Sequence, residues 1–596
     1  MSRTLLSGNE AIARGAYEAG IQVATGYPGT PSSEILEQIA AQYGDSIYAE
    51  WSTNEKVAMD AAAGAAYSGR RSLVTTKQVG MNVLADALFY TVYTGVEAGL
   101  VIVTADDPGM FSSQNEQDNR WYSRLAKLPI LEPRDSQEAK DFVVAAVELS
   151  ERFDTPVLIR TTMRVAHSKT VVELGDRAAS PAEVPPFVRN QEKYVCTAMW
   201  AKLRHPIVEQ RLVDLASYAE SSPLNRIEWR DRRLGIITSG VTATYVEEVF
   251  PQASTLVLGM TFPLPNEMIR SFAAGVDRLL VIEELDPFLE EQIRALGVEV
   301  SGKEYFPPYD ELLPDTLHRI AVSAGWVEDD ETAEERSVAD LPPRTPVLCA
   351  GCPHRSTYYW LAKMGIPVAG DIGCYNLGCL PPFNAQHTMG CMGASIGVLH
   401  GMSIAGVPEH GVATIGDSTF FHSGIPALAN MVHNRSRGVT IIMDNGTTAM
   451  TGHQDHPGTD WALGRPSAPH IEIEPLVRTL GVEMARTVDA FDVSQVKEGL
   501  DACLAHESGP SVLITKGPCV QVSKPPLTAY TVHEEACVAC GTCFRLGCPA
   551  IVKSDAPRGA EEKPKAAIDP TLCVGCDMCR QVCPVSAIHQ PEEERQ

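Results

Sequence analysis

The chain has 596 residues, of which 44% are apolar and 21% are charged, and its formal net charge is -26. This length exceeds what a single hydrophobic core supports, so we expect several domains. The acidic balance argues against binding to nucleic acid or to an anionic membrane surface, because both need a basic face. The N-terminus lacks the apolar core of a signal peptide and no apolar run is long enough to span a membrane, which indicates a cytoplasmic protein.

Helix and strand patterns alternate along the first third of the chain. Residues 9–20 and 54–69 have helical spacing, and each is followed by a short apolar stretch typical of a strand. Residues 155–162 are predicted to be the last strand of this region. Alternation of this kind predicts a parallel sheet with helices on both faces, so we expect a first α/β domain over residues 1–180.

The rest of the chain divides into three regions and a linker. Acidic and proline-containing residues at 328–346 are typical of a linker between domains. On either side of it strand and helix patterns alternate again, and the chain ends in a tail rich in cysteine. We therefore expect a middle α/β domain with a helical arm at 181–330, another parallel α/β domain at 345–525 and an α+β tail at 528–596.

The tail contains two sets of four cysteines, and only Cys196 of the sixteen cysteines precedes residue 349. In a chain without a secretion signal, clustered cysteines favour metal ligands over disulfides. The sequence "CVGCDMCRQVCP" (573–584) has the spacing of the bacterial iron–sulfur run, and residues 537–549 match it with one additional residue before the fourth cysteine. The alternative is a pair of zinc sites, which three-plus-one runs ending in Cys-Pro fit poorly.

In two-cluster ferredoxins the fourth cysteine of each run ligates the other cluster. The spacing therefore predicts two [4Fe–4S] clusters, each with three ligands from one run and the fourth ligand from the other run. We assign Cys537, Cys540, Cys543 and Cys583 to the first cluster, and Cys573, Cys576, Cys579 and Cys548 to the second.

Two short polar motifs end neighbouring strand patterns in the third α/β region. Gly416, Asp417 and Ser418 follow one strand, and Asn445 ends the next strand after an intervening helix. The carboxyl ends of parallel strands share the edge where open α/β sheets bind ligands. Carboxylate and amide oxygens suit Mg²⁺ with diphosphate oxygens as further ligands, and the helix after Asp417 would direct its N-terminal amides towards a phosphate. Taken singly, each motif is an ordinary turn.

Together the two motifs resemble the thiamine diphosphate (ThDP) motif, which runs from Gly-Asp-Gly to Asn. This chain has Ser418 in place of the second glycine, and the resemblance implies that the third protein ligand of Mg²⁺ is the backbone carbonyl of Thr447. ThDP enzymes also need a glutamate that hydrogen-bonds the aminopyrimidine ring. The Asn-Glu-x-x-Ala…Gly pattern at 54–69 makes Glu55 the candidate, with Glu50 as second choice. The alternative is that Glu55 only stabilises the start of its helix through the helix dipole.

The ThDP motif and the tail together resemble the 2-oxoacid:ferredoxin oxidoreductases, over nearly the whole chain. Within that family the likeness is greatest to the α subunits of the indolepyruvate branch. "GYPGTPSSE" (26–34) resembles the substrate-side Tyr-Pro-x-Thr-Pro motif, which makes Thr30 a candidate contact for the oxoacid. "TTKQVGMNVLADAL" (75–88) resembles a Lys-x-x-Gly-x-Asn loop of the family. Three further stretches, at 348–361, 370–378 and 391–397, resemble its diphosphate domain.

The resemblance implies two doubly wound, parallel-sheet ThDP-binding domains, an intervening α/β domain and a ferredoxin-like α+β tail. It also implies coenzyme A-dependent oxidative decarboxylation of aryl 2-oxoacids to acyl-CoA and CO₂, with electrons leaving through the [4Fe–4S] clusters to ferredoxin. Related enzymes carry a γ domain that we do not find here, so we expect a separate β subunit and a homodimer of this chain within a heterotetramer. The implied cofactor-binding residues are His354, Gly373, Cys374, Gly416, Asp417, Ser418, Asn445 and Thr447.

Several assignments have alternatives. Four cysteines at positions that resemble third-cluster ligands of pyruvate-type relatives are equally consistent with buried thiols; they are Cys349, Cys352, Cys374 and Cys519. We expect Cys379 and Cys391 to pack in the interior, and three histidines in cofactor-like stretches, His354, His422 and His453, to contact phosphate or substrate or to be structural. The alternative functions are a non-oxidative ThDP decarboxylase, an oxidoreductase for a non-aryl 2-oxoacid, and an electron-transfer subunit with a vestigial ThDP fold.

Overall fold

The computed structural model describes residues 2–179, 186–328, 345–407, 411–524, 528–554 and 563–590. The chain forms two compact units, Met1–Arg336 and Ser337–Gln596. The linker predicted at 328–346 lies almost entirely outside the described residues. Within the described ranges, no helix combines the length and the apolar character needed to cross a membrane.

A seven-stranded sheet forms the centre of the first unit. Six of its strands are parallel, and the three central strands are buried along their whole length, as expected for a sheet covered by helices. The seventh strand comes from the region predicted as the middle domain and pairs antiparallel at the sheet edge. In spatial order the strands are Met260–Phe262, Ile130–Leu131, Val157–Thr162, Leu100–Asp106, Ser72–Lys77, Val23–Gly26 and Tyr48–Trp51.

Helices and one small sheet complete this part of the unit. Arg3–Ser7 pairs antiparallel with Lys169–Glu173, and Ser7 caps the first helix in a capping box with Glu10. Alanine and leucine side chains of Glu55–Tyr67 and Gly80–Thr94 pack together with the central strands in one apolar cluster. The helices are Gly8–Glu18, Ser33–Tyr43, Glu55–Tyr67, Gly80–Thr94, Arg120–Ala126, Ser136–Phe153, Met163–His167, Gln191–Tyr194 and Ala198–Ala219.

A smaller, four-stranded sheet occupies the region predicted as the middle α/β domain. Three strands are parallel, and the edge strand Asn225–Glu228 is antiparallel to its neighbour. In spatial order the strands are Leu279–Ile282, Asp231–Ser239, Ala253–Leu258 and Asn225–Glu228. The helices of this region are Thr242–Val249, Asn266–Ala274, Phe288–Ala295 and Pro314–Ser323.

A buried ionic network joins the small sheet to the large one. Arg120, 1% exposed, forms ion pairs with Asp118 at 2.5 Å and with Glu283 at 2.6 Å, and Glu283 follows a strand of the small sheet. Arg160 is also buried and pairs with Asp106 and Glu132. Every charge in this network therefore has an opposite charge in contact, which is what makes its burial tolerable.

The second unit contains a five-stranded, fully parallel sheet. Its strands, in spatial order, are Val368–Ala369, Val412–Gly416, Gly438–Asp444, Pro510–Lys516 and Met484–Asp489. A helical run begins at Asp417, passes through a π turn at Phe420–Gly424 and continues as α-helix over Ile425–His433. The other helices are His354–Met364, Ala394–Ile404, Ile473–Thr479, Val493–Leu504 and Val520–Ser523, with 3₁₀ turns at Cys374–Cys379 and Ala449–Thr451.

The tail folds as two small antiparallel sheets and packs on this domain. Leu546 and Met578 of the tail belong to the same apolar cluster as Leu348 and Tyr358. The strands pair as Thr531–Val532 with Ile588–His589 and as Ile551–Lys553 with Ala566–Ile568, and the helical turns are Cys543–Leu546 and Met578–Gln581. The tail and the α/β domain at 345–525 thus share one core.

Replacing Arg120 with Met should lower the free energy of unfolding by about 3–5 kcal/mol, because Asp118 and Glu283 lose their counter-charge while remaining buried. Urea unfolding followed by circular dichroism would show an earlier transition. Arg233→Met is the control, since Arg233 is exposed and should leave the midpoint unchanged. Equal midpoints for the two variants would contradict a stabilising role for the network.

Candidate functional site

The candidate site lies at the carboxyl edge of the five-stranded sheet. Val412–Gly416 and Gly438–Asp444 are adjacent and parallel, so the residues that follow them lie side by side. Asp417 is buried, and its Oδ2 accepts hydrogen bonds from the backbone N–H groups of Asn445 at 3.1 Å and Gly446 at 2.7 Å. The structure therefore brings the two polar motifs into direct contact.

Side-chain hydrogen bonds hold the two loops of the site in register. Thr448 Oγ1 donates to Ser418 Oγ at 2.8 Å, so the residue that replaces the usual glycine ties one loop to the other. The backbone N–H of Ser418 donates to Asp417 Oδ1 at 2.8 Å, and that of Thr447 donates to Asn445 Oδ1 at 3.1 Å. The positions of the Asp417 and Asn445 side chains are thus set by neighbouring backbone.

Two carboxylates and one histidine meet at this edge. Burial and the charge of Asp417 raise the pKa of Asp444 to about 6. His456 Nε2 lies 3.3 Å from Asp417 Oδ2, an ion-pair contact without hydrogen-bond alignment. Burial alone would raise the pKa of Asp417 and lower that of His456, but their mutual attraction outweighs burial and shifts both in the opposite direction.

The three candidate histidines predicted from the sequence, His354, His422 and His453, differ in their surroundings. His354 begins the helix His354–Met364 and is buried, and its Nε2 lies 3.4 Å from Asn445 Nδ2. Burial lowers the pKa of His354 to about 4, so its ring is neutral. His422 Nδ1 shares a hydrogen bond of 2.5 Å with Ser423 Oγ, and the backbone N–H of His453 donates to Thr448 O.

Tyr375 explains why two positions near the site are glycine. A Cβ atom at Gly373 would lie 2.3 Å from a carbon of the Tyr375 ring, and one at Gly416 would lie 2.7 Å from it. Both distances are far below van der Waals contact, so only glycine leaves room for the ring. The Tyr375 hydroxyl donates to Ile372 O at 2.8 Å, which fixes the ring against both glycines.

These residues fit a divalent cation. A buried carboxylate beside a second carboxylate favours a bound cation, and carboxylate, amide and carbonyl oxygens are ligands that Mg²⁺ accepts. Within the described part of the chain, no three His, Cys, Asp or Glu side chains converge on one ion. A cation held by Asp417 would therefore also rely on the amide oxygen of Asn445 and the carbonyl of Thr447.

Glu55 lies in the first unit, at the first residue of the helix Glu55–Tyr67. Asn54 caps that helix by accepting a hydrogen bond from the backbone N–H of Val57. Glu55 is 6% exposed, and a Cβ atom at Gly80 would lie 2.5 Å from its Oε1. Glu50, the second choice, is half-buried on the strand Tyr48–Trp51 and accepts from its neighbours Tyr48 and Ser52.

Thr30 lies beside a buried lysine, Lys77, which is the lysine of the Lys-x-x-Gly-x-Asn loop. Lys77 Nζ donates to Ser112 O at 2.5 Å, and Ser112 Oγ donates to Thr30 O at 3.3 Å. A Cβ atom at Gly29 would meet Lys77 Cβ at 2.8 Å, so the turn at Gly29–Thr30 packs directly on this side chain. Burial lowers the pKa of Lys77 to about 8, against the opposing charge of Asp107.

The tail cysteines line two separate pockets. Each pocket contains three cysteines of one run and the fourth cysteine of the other. One pocket is lined by Cys548, Cys573, Cys576 and Cys579, and the other by Cys537, Cys540, Cys543 and Cys583. These are the two sets that the spacing assigns to separate clusters, and thiols facing one cavity fit a metal cluster. Ala350, Gly351 and Arg355 of the α/β domain at 345–525 also line the first pocket.

Each of the four remaining candidate cysteines lies close enough to at least one other of the four to affect a thiol pKa. Burial and the nearby thiols of Cys374 and Cys349 raise the pKa of Cys352 to about 12. Burial and the thiols of Cys519 and Cys349 likewise raise the pKa of Cys374 to about 11. The backbone N–H of Cys519 donates to Asn445 O at 3.0 Å, so this group adjoins the loop that contains Asn445.

The prediction that Cys379 and Cys391 pack in the interior is wrong. Both are exposed. Cys379 ends the 3₁₀ turn Cys374–Cys379, and Cys391 lies in the turn before the helix Ala394–Ile404.

Comparison with known families gives three matches along the chain. Residues 14–221 match the pyruvate flavodoxin/ferredoxin oxidoreductase, thiamine diP-binding family, and residues 371–515 match the C-terminal TPP binding domain of thiamine pyrophosphate enzymes. Residues 566–589 match the 4Fe-4S binding domain. All three matches agree with the fold class predicted from the sequence, which is confirmed.

The chain is similar over its whole length to proteins named indolepyruvate oxidoreductase subunit IorA. It is 43% identical to that of Methanothermobacter thermautotrophicus, covering 99% of this chain and 97% of that protein. It is 38% identical to that of Archaeoglobus fulgidus and 39% identical to that of Pyrococcus horikoshii, with 98% and 99% of this chain and 97% of each relative covered. The chain belongs to the IorA family. It is thus an oxidoreductase of the ThDP-dependent 2-oxoacid class with an iron–sulfur tail, as the sequence resemblance implied.

Sequence reasoning did not identify three polar residues of this IorA-family chain as members of a candidate site. They are Asp444, Lys77 and His456. Asp444 stands directly before Asn445, and its position at a strand end was the available signal. Lys77 is the lysine of the Lys-x-x-Gly-x-Asn loop, which was the available signal for it. Nothing in the spacing around His456 distinguishes it from an ordinary surface residue.

Double substitutions test whether the cysteine groups hold separate clusters. Cys548→Ala should remove about four iron atoms per chain, because it breaks one [4Fe–4S] site. Adding Cys576→Ala, from the same pocket, should remove no more, whereas adding Cys543→Ala, from the other pocket, should remove about four more. Iron analysis of anaerobically purified protein measures this. The reverse pattern would show that each run holds its own cluster.

Proposed function

We propose that this chain is the catalytic subunit of an oxidoreductase that converts aryl 2-oxoacids such as indolepyruvate, with coenzyme A, to acyl-CoA and CO₂ and passes the electrons to ferredoxin. The observation that carries the proposal is the continuity of groups within the second unit. Cys519 bonds to the diphosphate motif at Asn445, and the cysteine group around it adjoins a pocket of tail cysteines. The aryl substrate and ferredoxin are suggested by the names of the relatives.

Asp417, Asn445 and the carbonyl of Thr447 would hold Mg²⁺ together with the diphosphate of ThDP. Bound ThDP supplies the electron sink that decarboxylation of a 2-oxoacid requires. The two backbone N–H groups on Asp417 Oδ2 hold its carboxylate in one orientation. The neutral ring of His354 adds no positive charge that would oppose the cation.

Glu55 is the proposed proton-holding group for the aminopyrimidine ring. Its carboxylate is buried at a capped helix start, where the backbone limits its movement. A glutamate in this role exchanges a proton with the ring nitrogen and so promotes loss of the thiazolium C2 proton. Groups that transfer protons in this way contribute roughly 10² to 10⁴ in rate.

Thr30 and Lys77 are the proposed contacts for the carboxylate of the oxoacid. Lys77 is buried and donates its hydrogen bonds to Ser112, and among the ion pairs of the described residues none includes Lys77. A substrate carboxylate would supply that charge. Thr30 also contacts Ser112, whose hydroxyl donates to the Thr30 carbonyl, so Thr30 lies close to Lys77.

The electron route would run through three clusters in the second unit. The oxidation releases two electrons, CO₂ departs, and coenzyme A takes the acyl group as its thiol loses a proton. The group Cys349, Cys352, Cys374 and Cys519 adjoins Asn445, and we assign it a third [4Fe–4S] cluster. The second cluster on the route would lie in the Cys548 pocket, which Ala350 and Gly351 also line. The last cluster would lie in the Cys537 pocket, which contains the exposed Cys540.

The proposal includes a partner chain. A separate β subunit would supply the γ-type domain, and the complex would be a heterotetramer containing two copies of this chain, located in the cytoplasm. A non-oxidative ThDP decarboxylase would leave the cysteine groups beside Asn445 without a role. We therefore favour the oxidative reaction.

Anaerobic co-purification with the β subunit and a viologen-reduction assay test the proposal. Indolepyruvate and phenylpyruvate should reduce the dye faster than pyruvate or 2-oxoglutarate, and only with coenzyme A present. Faster turnover of a non-aryl oxoacid would overturn the substrate class. Aldehyde release without dye reduction would establish the non-oxidative reaction instead.

Glu55→Gln should slow exchange of the thiazolium C2 proton of bound ThDP by about 10²-fold or more, because the amide no longer holds the proton. Quenched-flow NMR measures this exchange without substrate or iron–sulfur chemistry. Glu50→Gln is the matched control and should exchange at the parental rate. If Glu50→Gln is the slower of the two, the assignment of the glutamate is wrong.

Loss of the Lys77 charge should weaken oxoacid binding at high pH. The amine is protonated below its pKa of about 8 and loses its charge as the pH rises, so the KM for the oxoacid should increase by roughly fivefold between pH 8 and pH 9. Lys77→Met should have a high KM that does not vary over this interval. Lys77→Arg should keep a low KM at both pH values. A parental KM that is constant with pH would contradict this role.

A further inference from the structure

Arg355 is a buried cation whose hydrogen bonds go only to backbone carbonyls. The side chain is 1% exposed. Its guanidinium donates to Cys349 O at 2.7 and 3.0 Å, to Leu546 O at 2.8 Å and to Leu348 O. Among the ion pairs of the described residues, none includes Arg355.

The other deeply buried arginines of this chain show how unusual that is. Arg120 and Arg160 each contact two carboxylates, and Arg211 pairs with Asp154. A charge removed from water without an opposite charge is strongly destabilising, and carbonyl dipoles replace only part of its hydration. Among the described residues, the charge of Arg355 therefore has no opposite charge to balance it.

Two groups of cysteines adjoin Arg355. It lines the pocket of Cys548, Cys573, Cys576 and Cys579, and it bonds to the carbonyl of Cys349. Its positive charge also opposes the effect of burial on the pKa of the Cys352 and Cys576 thiols, which belong to the two different groups. The arginine thus lies next to both of the sites that the proposed function assigns to the first two clusters of the electron route.

We propose that Arg355 is the shared counter-ion of these two clusters and raises the reduction potential of both. The inference rests on the cluster sites of the proposed function. A cluster core with four thiolates carries net negative charge, and entry of one electron makes it more negative by one unit. A fixed cation nearby therefore stabilises the reduced form more than the oxidised form. Each electron that arrives from the oxoacid is held by a cluster until it moves on to ferredoxin.

The matched variants separate the charge of Arg355 from its hydrogen bonds. Arg355→Gln keeps an N–H donor for the carbonyls but removes the charge, whereas Arg355→Lys keeps the charge and loses the planar fork. Arg545→Met is the control, because Arg545 is exposed in the tail turn Cys543–Leu546, whose Leu546 carbonyl bonds to Arg355, and its charge is screened by water. All variants are prepared as the complete complex with its partner subunit, under anaerobic conditions.

Redox titration followed by electron paramagnetic resonance measures the potentials, and iron analysis measures cluster content. Arg355→Gln should make reduction of two clusters about tenfold less favourable, which is a shift of about 59 mV for a one-electron couple. The cluster of the Cys537 pocket, which Arg355 does not line, should keep its potential. Arg355→Lys and Arg545→Met should stay close to the parent.

Potentials that are unchanged in a fully loaded Arg355→Gln complex would overturn the proposal. If Arg355→Gln fails to retain iron, full loading of Arg355→Lys supports the counter-ion role, since the charge is what that variant preserves. Equal loss of iron in both variants would show a purely structural clamp and overturn it. The iron content of the parent reports separately on the proposed function. Eight iron atoms per chain instead of twelve would contradict the third cluster. The test of Arg355 would then concern only the potential of the cluster in the Cys548 pocket.

Discussion

A charge held away from water needs an opposite charge beside it, and this constraint governs the described parts of both units. In the first unit Arg120 is held by Asp118 and Glu283, and its network joins two sheets. In the second unit the buried carboxylate of Asp417 is matched only partly, by His456, while Asp444 adds a further negative charge. The first arrangement is complete without any ligand, whereas the second is suited to a cation from outside.

Parallel pairing places the chemistry of the second unit along one short stretch of backbone. Because Val412–Gly416 and Gly438–Asp444 are neighbours, Asp417 and Asn445 meet at one edge of the sheet. The strand Pro510–Lys516 is the next neighbour, and the segment after it brings Cys519 to the carbonyl of Asn445. Three adjacent strands thus bring a diphosphate motif and a cysteine group together without a dedicated domain.

Much of this arrangement is predictable from the sequence, for reasons that are local. Fixed cysteine spacing predicts how the eight tail cysteines divide between two pockets, and strand-end motifs predict that Asp417 and Asn445 meet. The sequence did not predict that Lys77 is a buried amine, that His456 pairs with Asp417, or that Arg355 is a cation without an opposite charge. Each of these properties depends on which distant residues surround the side chain. The prediction that Cys379 and Cys391 pack in the interior was wrong for the same reason, since a cysteine in a turn is buried only if another element covers it.

The antiparallel strand Met260–Phe262 has a consequence for dividing the chain into fragments. The first family match ends at residue 221, yet the edge of the seven-stranded sheet is completed by this later strand, and Gly259 O accepts from the backbone N–H of Glu132. A fragment ending at the family boundary would leave Ile130–Leu131 as an open edge with unpaired backbone groups, which promotes association between chains. An expressible first domain therefore has to extend past Phe262, and the boundary that homology detects is not a boundary at which the protein can be cut.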